Sequence, residues 1–518
     1  MVALAALAPT VSYGDSVVHD SDQHESSRGV PWTSVRQAPR QRVRVSDLKP
    51  PRSGVPLSVM LHFGYESALR LVRLATPVLS RGEGKLARGL RGRDDQRGHL
   101  EGWAREHRDP GLPLVWFHAP SVGEGLQALA VARAIRRSRP EVQLAFTHFS
   151  PSARGLAESM VEAGDVDVAG YMPWDLVSET GRLLDTLSPS VVAFTKTEVW
   201  PGIVRAARRR GIPMVLVAAT LPENAGRLRF PARRILRGTF GSLVRVLAIS
   251  PEDGARFQFL GVRPDRVRVT GDPGVDSAVE RADQAREDAP WARALADFVA
   301  EVAPEAVPGG APPALAPESE EGGGGAPILP GVVAGSTWGP DEEVLLEGME
   351  RLGSLRPRLL VAPHEPDEAH LRPLEARLDR GGWCHARLGE VEARGSATGL
   401  DAVVVDRVGI LAHLYRFLPV AFVGGGFHGQ GLHSVVEPAA VGRPVLHGPR
   451  FANSLAAAEL GEGGGARVVA DADALARALR HWGRDPASLE AAGRAARSWV
   501  DRHRGAASRT AEALEGWL

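Results

Sequence analysis

Glu124 is the first residue whose position suggests chemistry. It closes the segment HAPSVGE (118–124), which leads out of the apolar run PLVWFHA (113–119) into a helical pattern. A carboxylate at the carboxyl end of a strand can act as a general base toward a substrate hydroxyl. The alternative is structural, because an acid in the first turn of a helix also complements the helix dipole.

Glu198 offers a second carboxylate in an equivalent place. It lies in TKTEVWP (195–201), after the apolar run VVAFTK (191–196) and before another helical pattern. If the two strands lie in one parallel sheet, both acids face one cleft and could position and deprotonate an acceptor. The alternative is a structural ion pair between Lys196 and Glu198.

A glycine-rich segment, GGGFHGQGLHSVVEP (424–438), stands in the second half of the chain. It leads from a predicted strand into a predicted helix, whose amino terminus can bind phosphate. We predict Gly425, Gly426 and Gly431 as a phosphate loop, with Glu437 accepting hydrogen bonds from a ribose. The alternative is a plain flexible loop.

Three histidines, His118, His364 and His433, could be considered as metal ligands. They lie on separate predicted loops and lack the close pairing typical of zinc sites. No D-x-D motif stands in a suitable place. We therefore expect a metal-independent reaction without a cofactor.

The composition limits which classes of protein these side chains can serve. Lys plus Arg and Asp plus Glu both number 62, so the formal net charge is zero, which argues against a nucleic-acid partner. The single cysteine, Cys384, excludes a disulfide framework. With 518 residues, 43% of them hydrophobic, the chain can build two or three domains.

Apolar runs alternate with helical patterns in two series, separated by a Pro-, Gly- and Glu-rich stretch at 303–328. Such alternation indicates parallel sheets covered by helices, here two doubly wound Rossmann-like α/β domains facing a cleft. The predicted strands are the runs at 113–119, 143–149, 191–196, 213–219, 244–250, 267–270, 331–336, 358–364, 402–406, 420–426, 444–449 and 466–471. The predicted divisions are a disordered extension (1–54), an N-terminal helical segment (55–95), a first domain (96–295), a low-complexity linker or insertion (296–330), a second domain (331–500) and a C-terminal helix (501–518).

The N-terminal segment contains a predicted amphipathic helix at 55–79. Its apolar residues follow a helical rhythm at Leu57, Met60, Leu61, Tyr65, Ala68, Leu69 and Val72, and basic residues follow at Arg81, Lys85, Arg88, Arg91 and Arg93. This combination is typical of helices that lie on an anionic membrane surface. The alternative is a helix packed on the first domain.

Taken together, these segments resemble the bacterial 3-deoxy-D-manno-octulosonic acid (Kdo) transferases of lipopolysaccharide assembly. The resemblance runs from about Leu57 to the C-terminus outside the 300–327 region, and the order and spacing of its motifs match. The motifs are HAPSVGE (118–124), PWD (173–175), TKTEVWP (195–201), VTGDPGVD (269–276), AGSTWGPDEE (334–343), APHEPDE (362–368) and GGGFHGQGLHSVVEPA (424–439).

The resemblance implies a glycosyltransferase B fold, with the first domain binding the acceptor and the second binding the donor. It implies transfer of Kdo from CMP-Kdo to lipid A precursor (lipid IVA) at the cytoplasmic face of the bacterial inner membrane. Glu124 matches the catalytic base and Glu198 a second acid that supports the transition state. The residues that match donor contacts are Pro363, His364, Val408, Gly409, Ile410, Ser434, Val435, Val436 and Glu437.

The chain also departs from the family pattern. Many members have Glu at Lys196, Asn at Ser434, His at Trp338, and Arg-His at His364-Glu365. At Gly274 the family usually has Lys or Arg, which stabilises negative charge on the donor. Loss of that cation could cost several kcal/mol of barrier. Arg281 and Arg227 are the candidate replacements.

Three other functions remain open from the residues alone. A glycosyltransferase of the same fold using a UDP- or GDP-sugar would carry a similar base and glycine-rich loop. A sugar-nucleotide epimerase would work in solution without a lipid acceptor. A catalytically inactive protein that binds lipid or nucleotide would tolerate glycine at position 274.

Overall fold

The computed structural model describes residues 57–518 apart from Glu83, Arg97, 285–288, 301–328 and Gln430. The predicted extension at 1–54 and most of the predicted linker at 296–330 therefore lie outside the described residues. Among the described residues, three helices precede the first sheet: α1 (Leu57–Leu79), α2 (Lys85–Asp95) and α3 (His99–His107).

The first sheet has seven parallel strands in the order β3-β2-β1-β4-β5-β6-β7. Its strands are β1 (Leu114–His118), β2 (Gln143–His148), β3 (Val168–Tyr171), β4 (Val191–Thr195), β5 (Met214–Ala219), β6 (Arg245–Ala248) and β7 (Val267–Val269). The intervening helices are α4 (Val122–Ser138), α5 (Arg154–Glu162), α6 (Val177–Leu187), α7 (Pro201–Arg209), α8 (Ala232–Phe240) and α9 (Pro251–Phe259).

The second sheet also has seven parallel strands, in the order β10-β11-β9-β8-β12-β13-β14. Its strands are β8 (Val332–Thr337), β9 (Leu359–Pro363), β10 (His385–Arg387), β11 (Ala402–Val404), β12 (Val420–Val423), β13 (Val445–His447) and β14 (Ala466–Val468). Its helices are α13 (Gly339–Glu350), α14 (Glu368–Arg380), α15 (Leu388–Arg394), α16 (Leu411–Leu414), α17 (Val436–Ala440), α18 (Leu455–Glu462), α19 (Ala472–Arg484) and α20 (Pro486–His503).

The predicted fold class, two doubly wound α/β domains, is confirmed. Central strands such as β1 and β4 are buried along their whole length, because helices cover both faces of each sheet. Strands β3 and β10 were not predicted. Both lie at sheet edges, where a short strand such as HAR needs no continuous apolar run.

The described part of the connection between the two sheets contains the helices α10 (Pro273–Asp283), α11 (Pro290–Ala294) and α12 (Ala296–Ala300). Val275 and Val279 of α10 pack with Val423 and Val435 of the second domain. Leu295, which ends the predicted first domain, packs with second-sheet residues. The structure thus differs from the predicted boundary, because the apolar faces of these helices are buried on the second domain.

The chain returns to the first domain at its end. Helix α20 ends at His503, and a separate helix α21 (Ala506–Glu512) follows, in place of the single C-terminal helix predicted. Ala507, Ala511 and Leu514 pack against the first sheet. Asp276 of α10 accepts the amide hydrogens of Gly505 (2.6 Å) and Ala507 (2.8 Å). Helix α10 therefore also holds the segment in which the chain passes from the second domain back to the first.

Helix α1 packs on the first domain through part of its predicted apolar face. Tyr65, Leu69 and Val72 lie against Trp174 and Leu176. A second apolar row, Leu71, Leu74 and Val78, is 66–79% exposed. In the described part of the chain, no helix is both long enough and apolar enough to cross a membrane.

Two of the basic residues predicted to face a membrane make contacts within the protein instead. Arg93 is buried, its guanidinium stacks on the rings of Phe149 and Trp174, and burial lowers the pKa of this side chain to about 10. Arg91 donates to the carbonyl oxygens of Ser80 and Gly82. Arg91 thus fixes the turn after α1 while its side chain stays exposed, whereas buried Arg93 does not contribute to a basic surface.

Candidate active site

Glu124 lies in the first turn of α4, at the carboxyl edge of the first sheet. Its side chain is 18% exposed, and Nζ of Lys196 lies 3.9 Å from its Oε1. The other oxygen, Oε2, is buried and has no hydrogen-bond partner among the described residues. Since buried carboxylate oxygens are normally satisfied, this atom is poised for a group that the protein itself does not supply.

Glu198 follows β4 and is held by two donors. Nη2 of Arg227 donates to its Oε1 at 3.0 Å, and Nε1 of Trp200 donates to its Oε2 at 3.3 Å. The predicted alternative, a pair between Lys196 and Glu198, is wrong, because Lys196 lies nearest Glu124 and Glu198 binds Arg227. Arg227 is therefore already committed as a counterion within the first domain.

A neutral histidine and an aromatic ring lie buried at this edge of the first sheet. His118 is fully buried, its Nδ1 lies 3.0 Å from Oγ1 of Thr147, and its ring meets that of Trp200 edge-on at 4.8 Å. Burial lowers the pKa of His118 to about 3, so the imidazole is neutral at physiological pH. It shapes the site without adding charge.

A buried aspartate fixes the neighbouring loop. Asp175, in the PWD motif, accepts the amide hydrogens of Gly202 and Ile203 at 2.7 Å each, and the hydroxyl of Tyr65 at 2.9 Å. Burial raises the pKa of Asp175 to about 6, although these hydrogen bonds oppose the shift. Helix α1 and the start of α7 are thereby tied to one carboxylate.

Asp341 has the corresponding role in the second domain. Its carboxylate accepts the amide hydrogens of Trp338 (3.0 Å), Gly425 (2.8 Å) and Phe427 (3.0 Å). The bond to Trp338 is the reach back to the N-cap that favours helix initiation. The amide of Gly425 is thus used to hold the glycine-rich loop in place, and is not available to a phosphate in this arrangement.

Glycine is required sterically in this loop. Gly425 has φ +91°, and a Cβ there would lie 2.2 Å from the carbonyl oxygen of Gly431. A Cβ on Gly426 would meet the backbone of Gly448 at 2.5 Å. Gly431 itself has φ +85°. The predicted phosphate-loop glycines therefore allow close backbone approach.

Trp338 organises a cluster of histidines at the carboxyl edge of the second sheet. Its ring stacks on His428 at 4.7 Å between centroids, and its Nε1 donates to Nε2 of His433 at 3.1 Å. His433 also stacks on His364 at 4.3 Å. Burial, with a contribution from neighbouring His364 and His428, lowers the pKa of His433 to about 4, so it is neutral and can accept the Trp338 hydrogen bond.

The remaining predicted donor contacts lie at the end of β9 and in the loop after β11. Pro363 ends β9, Gly409 has φ +95° and Val408 is 75% exposed. Gly409 and Ile410 also line a cavity of about 720 Å³. No group of three or more His, Cys, Asp or Glu side chains in the described chain is arranged to hold a metal ion.

Glu437 lies in α17, after exposed Ser434 and buried Val435 and Val436. Its Oε1 accepts a hydrogen bond from Nη2 of Arg281 at 2.5 Å. Arg281 belongs to α10, so this ion pair joins the connecting helix to the donor segment. Both candidate replacements for the missing cation at Gly274 are consequently paired with predicted site acids.

The sequence reasoning missed the roles of Asp341 and Trp338 and the pairing of the two arginines. A signal for Asp341 is its place three residues after Trp338, where an acid reaches back to the start of a helix. The Arg281–Glu437 pair spans 156 positions, and no local pattern reveals such a contact.

The family described as "3-Deoxy-D-manno-octulosonic-acid transferase (kdotransferase)" matches residues 93–277, which include Glu124 and Glu198. The chain is 30% identical over 423 residues to the 3-deoxy-D-manno-octulosonic acid transferase of Bordetella pertussis, covering 78% of this chain and 87% of that protein. The chain belongs to the Kdo transferase family. It is a glycosyltransferase that acts on Kdo in lipopolysaccharide biosynthesis.

The chain is also similar to a second Kdo transferase and, in fold, to solved structures. The Kdo transferase of Haemophilus influenzae is 23% identical, over 78% of this chain and 87% of its own length. Among solved structures, a glycosyltransferase from Rickettsia africae covers 78% of this chain and 98% of its own, with TM-score 0.50 and 12% identity. The UDP-GlcNAc 2-epimerase of Neisseria meningitidis has the same TM-score and identity and covers 78% and 99%. At such identity these structures show the shared fold alone.

Proposed function

We propose that this Kdo transferase takes Kdo from CMP-Kdo and transfers it to lipid A precursor (lipid IVA), with Glu124 as the general base. The observation that carries the proposal is the buried Oε2 of Glu124, which lacks a hydrogen-bond partner in the described chain. A sugar hydroxyl at this oxygen would supply the missing hydrogen bond and be placed for deprotonation.

The reaction is a single displacement at the anomeric carbon of Kdo. The acceptor hydroxyl gives its proton to Oε2 of Glu124 as its oxygen bonds to the anomeric carbon. The bond from that carbon to the phosphate oxygen breaks, and CMP leaves with the electron pair. Glu198, bound to Arg227 at 3.0 Å, supports the transition state through this charged pair. No metal ion or cofactor enters these steps.

The second domain supplies the donor site in this proposal. The segment from Ser434 to Glu437 faces the ribose and phosphate, and Pro363 and His364 lie beside the cytidine. The support is the fixed glycine-rich loop, held by Asp341, together with the stacked rings around Trp338. Flat aromatic rings suit a pyrimidine base.

We further propose that the enzyme works at the cytoplasmic face of the bacterial inner membrane, with α1 on the lipid surface. The support is the exposed row of Leu71, Leu74 and Val78, beside Arg70, whose side chain is 63% exposed and lies 3.7 Å from Glu66. Apolar side chains beside a cation suit an anionic lipid surface. Flotation with phosphatidylglycerol vesicles tests this, and equal binding by L74S/V78S and by the wild type would contradict it.

The decisive experiment measures transfer of radiolabelled Kdo from CMP-Kdo to lipid IVA in detergent. Matched reactions supply a UDP-sugar or a GDP-sugar as donor, or omit the acceptor. We expect a labelled lipid product only with CMP-Kdo and acceptor together. Transfer from a UDP- or GDP-sugar in its place would show that the donor assignment is wrong, and no transfer from any donor by folded enzyme would contradict the proposed reaction.

A further inference from the structure

Arg281 is bonded to the predicted donor segment through Glu437, and its surroundings suggest a role beyond structure. Its guanidinium donates to Oε1 of Glu437 at 2.5 Å through Nη2 and to Oγ of Ser277 at 2.6 Å through Nη1. The side chains of Arg281 and Glu437 are 24% and 18% exposed. The pair is therefore partly shielded from water while still open to a ligand.

The direction of the Arg281 side chain is set by helix geometry. Side chains on an α-helix lean toward its amino terminus, and the bond to Ser277 shows Arg281 leaning back by one turn. Gly274 lies seven residues before Arg281, about two turns away and on the same face of α10. The guanidinium thus points along a face that ends at Gly274, which has no side chain.

The start of α10 also lies close to the proposed base. Asp272, the N-cap residue of α10, accepts a hydrogen bond from Nε2 of Gln127 at 2.8 Å. Gln127 and Glu124 are three residues apart on α4, so their side chains neighbour each other on one face. The start of α10 is therefore joined to α4, the helix that carries the proposed base, and a later turn of α10 carries Arg281 and its bond to Glu437.

We propose that Arg281 binds the phosphate of the donor nucleotide, and that Glu437 holds it in place until the donor arrives. This proposal rests on the CMP-Kdo assignment above. When the nucleotide binds, the Glu437 carboxylate exchanges the guanidinium for the ribose hydroxyls. Arg281 then exchanges Glu437 for the phosphate, and neither charge is left unpaired in a half-buried site.

The exchange makes nucleotide binding depend on charge. A neutral nucleoside can offer hydroxyls to Glu437 but gives Arg281 no new anion, so the original pair opposes its binding. A nucleoside monophosphate satisfies both partners. The ratio of CMP affinity to cytidine affinity therefore reports the proposed role, whereas a purely structural role of Arg281 would change both affinities alike.

The test is titration calorimetry of CMP and of cytidine against the full-length wild type, R281Q and R281K. We expect R281Q to weaken CMP binding about 10- to 100-fold and to leave cytidine binding equal or tighter. R281K keeps the charge but loses the paired geometry of the guanidinium, so it restores part of the CMP affinity.

The matched control is R137Q. Arg137, near the end of α4, pairs at 3.2 Å with Glu280, the residue next to Arg281 in α10, and among the described residues no hydrogen bond or ion pair joins it to the donor segment. R137Q is expected to bind CMP as the wild type does. Equal weakening of CMP and cytidine by R281Q, or unchanged CMP binding, would overturn the proposal while wild-type Kdo transfer still supports the reaction. Failure of the wild type to bind CMP would overturn both.

Discussion

Glu124 in the first domain and Glu437 in the second stand in opposite states. One oxygen of Glu124 is buried without a hydrogen-bond partner in the described chain, and its nearest cation, Lys196, is 3.9 Å away. Glu437 instead makes a short ion pair with Arg281. The first domain therefore leaves its acid ready for a ligand, whereas the second has already occupied its acid with a residue of the protein.

This difference indicates which substrate must displace a protein group when it binds. An acceptor hydroxyl at Glu124 displaces no protein group. A donor at Glu437 has to separate an ion pair, so only a ligand with its own negative charge can compensate. Selection by charge is accordingly expected for the donor and not for the acceptor hydroxyl.

The largest expected effect comes from removing the carboxylate of Glu124. E124Q should lower the rate of Kdo transfer about 10²- to 10⁴-fold, the usual contribution of a general base, with CMP affinity unchanged. Steady-state transfer assays and calorimetry measure the two quantities. E252Q, at an exposed first-turn glutamate of α9, is the control and should transfer normally. Full activity in E124Q would remove Glu124 from the chemistry.

The next effect separates the two loop-fixing aspartates. D341A leaves three backbone amides without an acceptor, which should cost about 3 kcal/mol of stability and weaken CMP binding more than about tenfold. D175A removes the acceptor for two amides and the Tyr65 hydroxyl in the first domain. It should also destabilise the fold but leave CMP affinity unchanged. Equal CMP loss in both variants, measured by calorimetry on folded protein, would contradict this division.

The smallest effect concerns pH, and both domains should contribute. His118 and His433 have pKa values lowered by burial to about 3 and about 4, whereas an unfolded histidine titrates near pH 6.5. The unfolded state therefore binds more protons below pH 6.5, and stability falls as the pH drops from 6.5 toward 4. The loss should be on the order of 1–2 kcal/mol per histidine between pH 7 and 5.

Urea unfolding at several pH values measures this dependence. H118F and H433F should each flatten it, one in each domain, and their difference from the wild type should stay constant between pH 7 and 8.5. An unchanged slope in H118F would show that its imidazole does not stay neutral in the folded state.

Much of the scaffold could be predicted because buried parallel strands leave a local signal. Runs such as LVWFH and VVAFT are apolar over their full length, as central strands must be. The position of Glu124 follows from the same signal, since it comes right after such a run. Strand β3 was not predicted, because a strand at the edge of a sheet can be as short as VAGY and then leaves only a weak pattern in the sequence.

The electrostatics of the site could not be predicted, because they depend on contacts between distant segments. Arg227 meets Glu198 across 29 positions and Arg281 meets Glu437 across 156. Arg93 follows a basic pattern in the sequence, yet packing places it between two aromatic rings. The sequence shows how many charged residues there are. The sign of the electric field at a site depends on which of those charges are paired in the folded protein.

Because the chain returns to the first domain, the residues after α20 belong to the core of the first domain although they follow the second in sequence. Leu514 is fully buried among first-sheet side chains, and Arg139 donates to the carbonyl oxygen of Leu518 at 3.1 Å. A second domain expressed on its own with residues 506–518 attached would expose their apolar side chains to water. A first domain expressed without these residues would lack part of its core. To express the two domains separately, residues 506–518 should therefore be fused to the first domain.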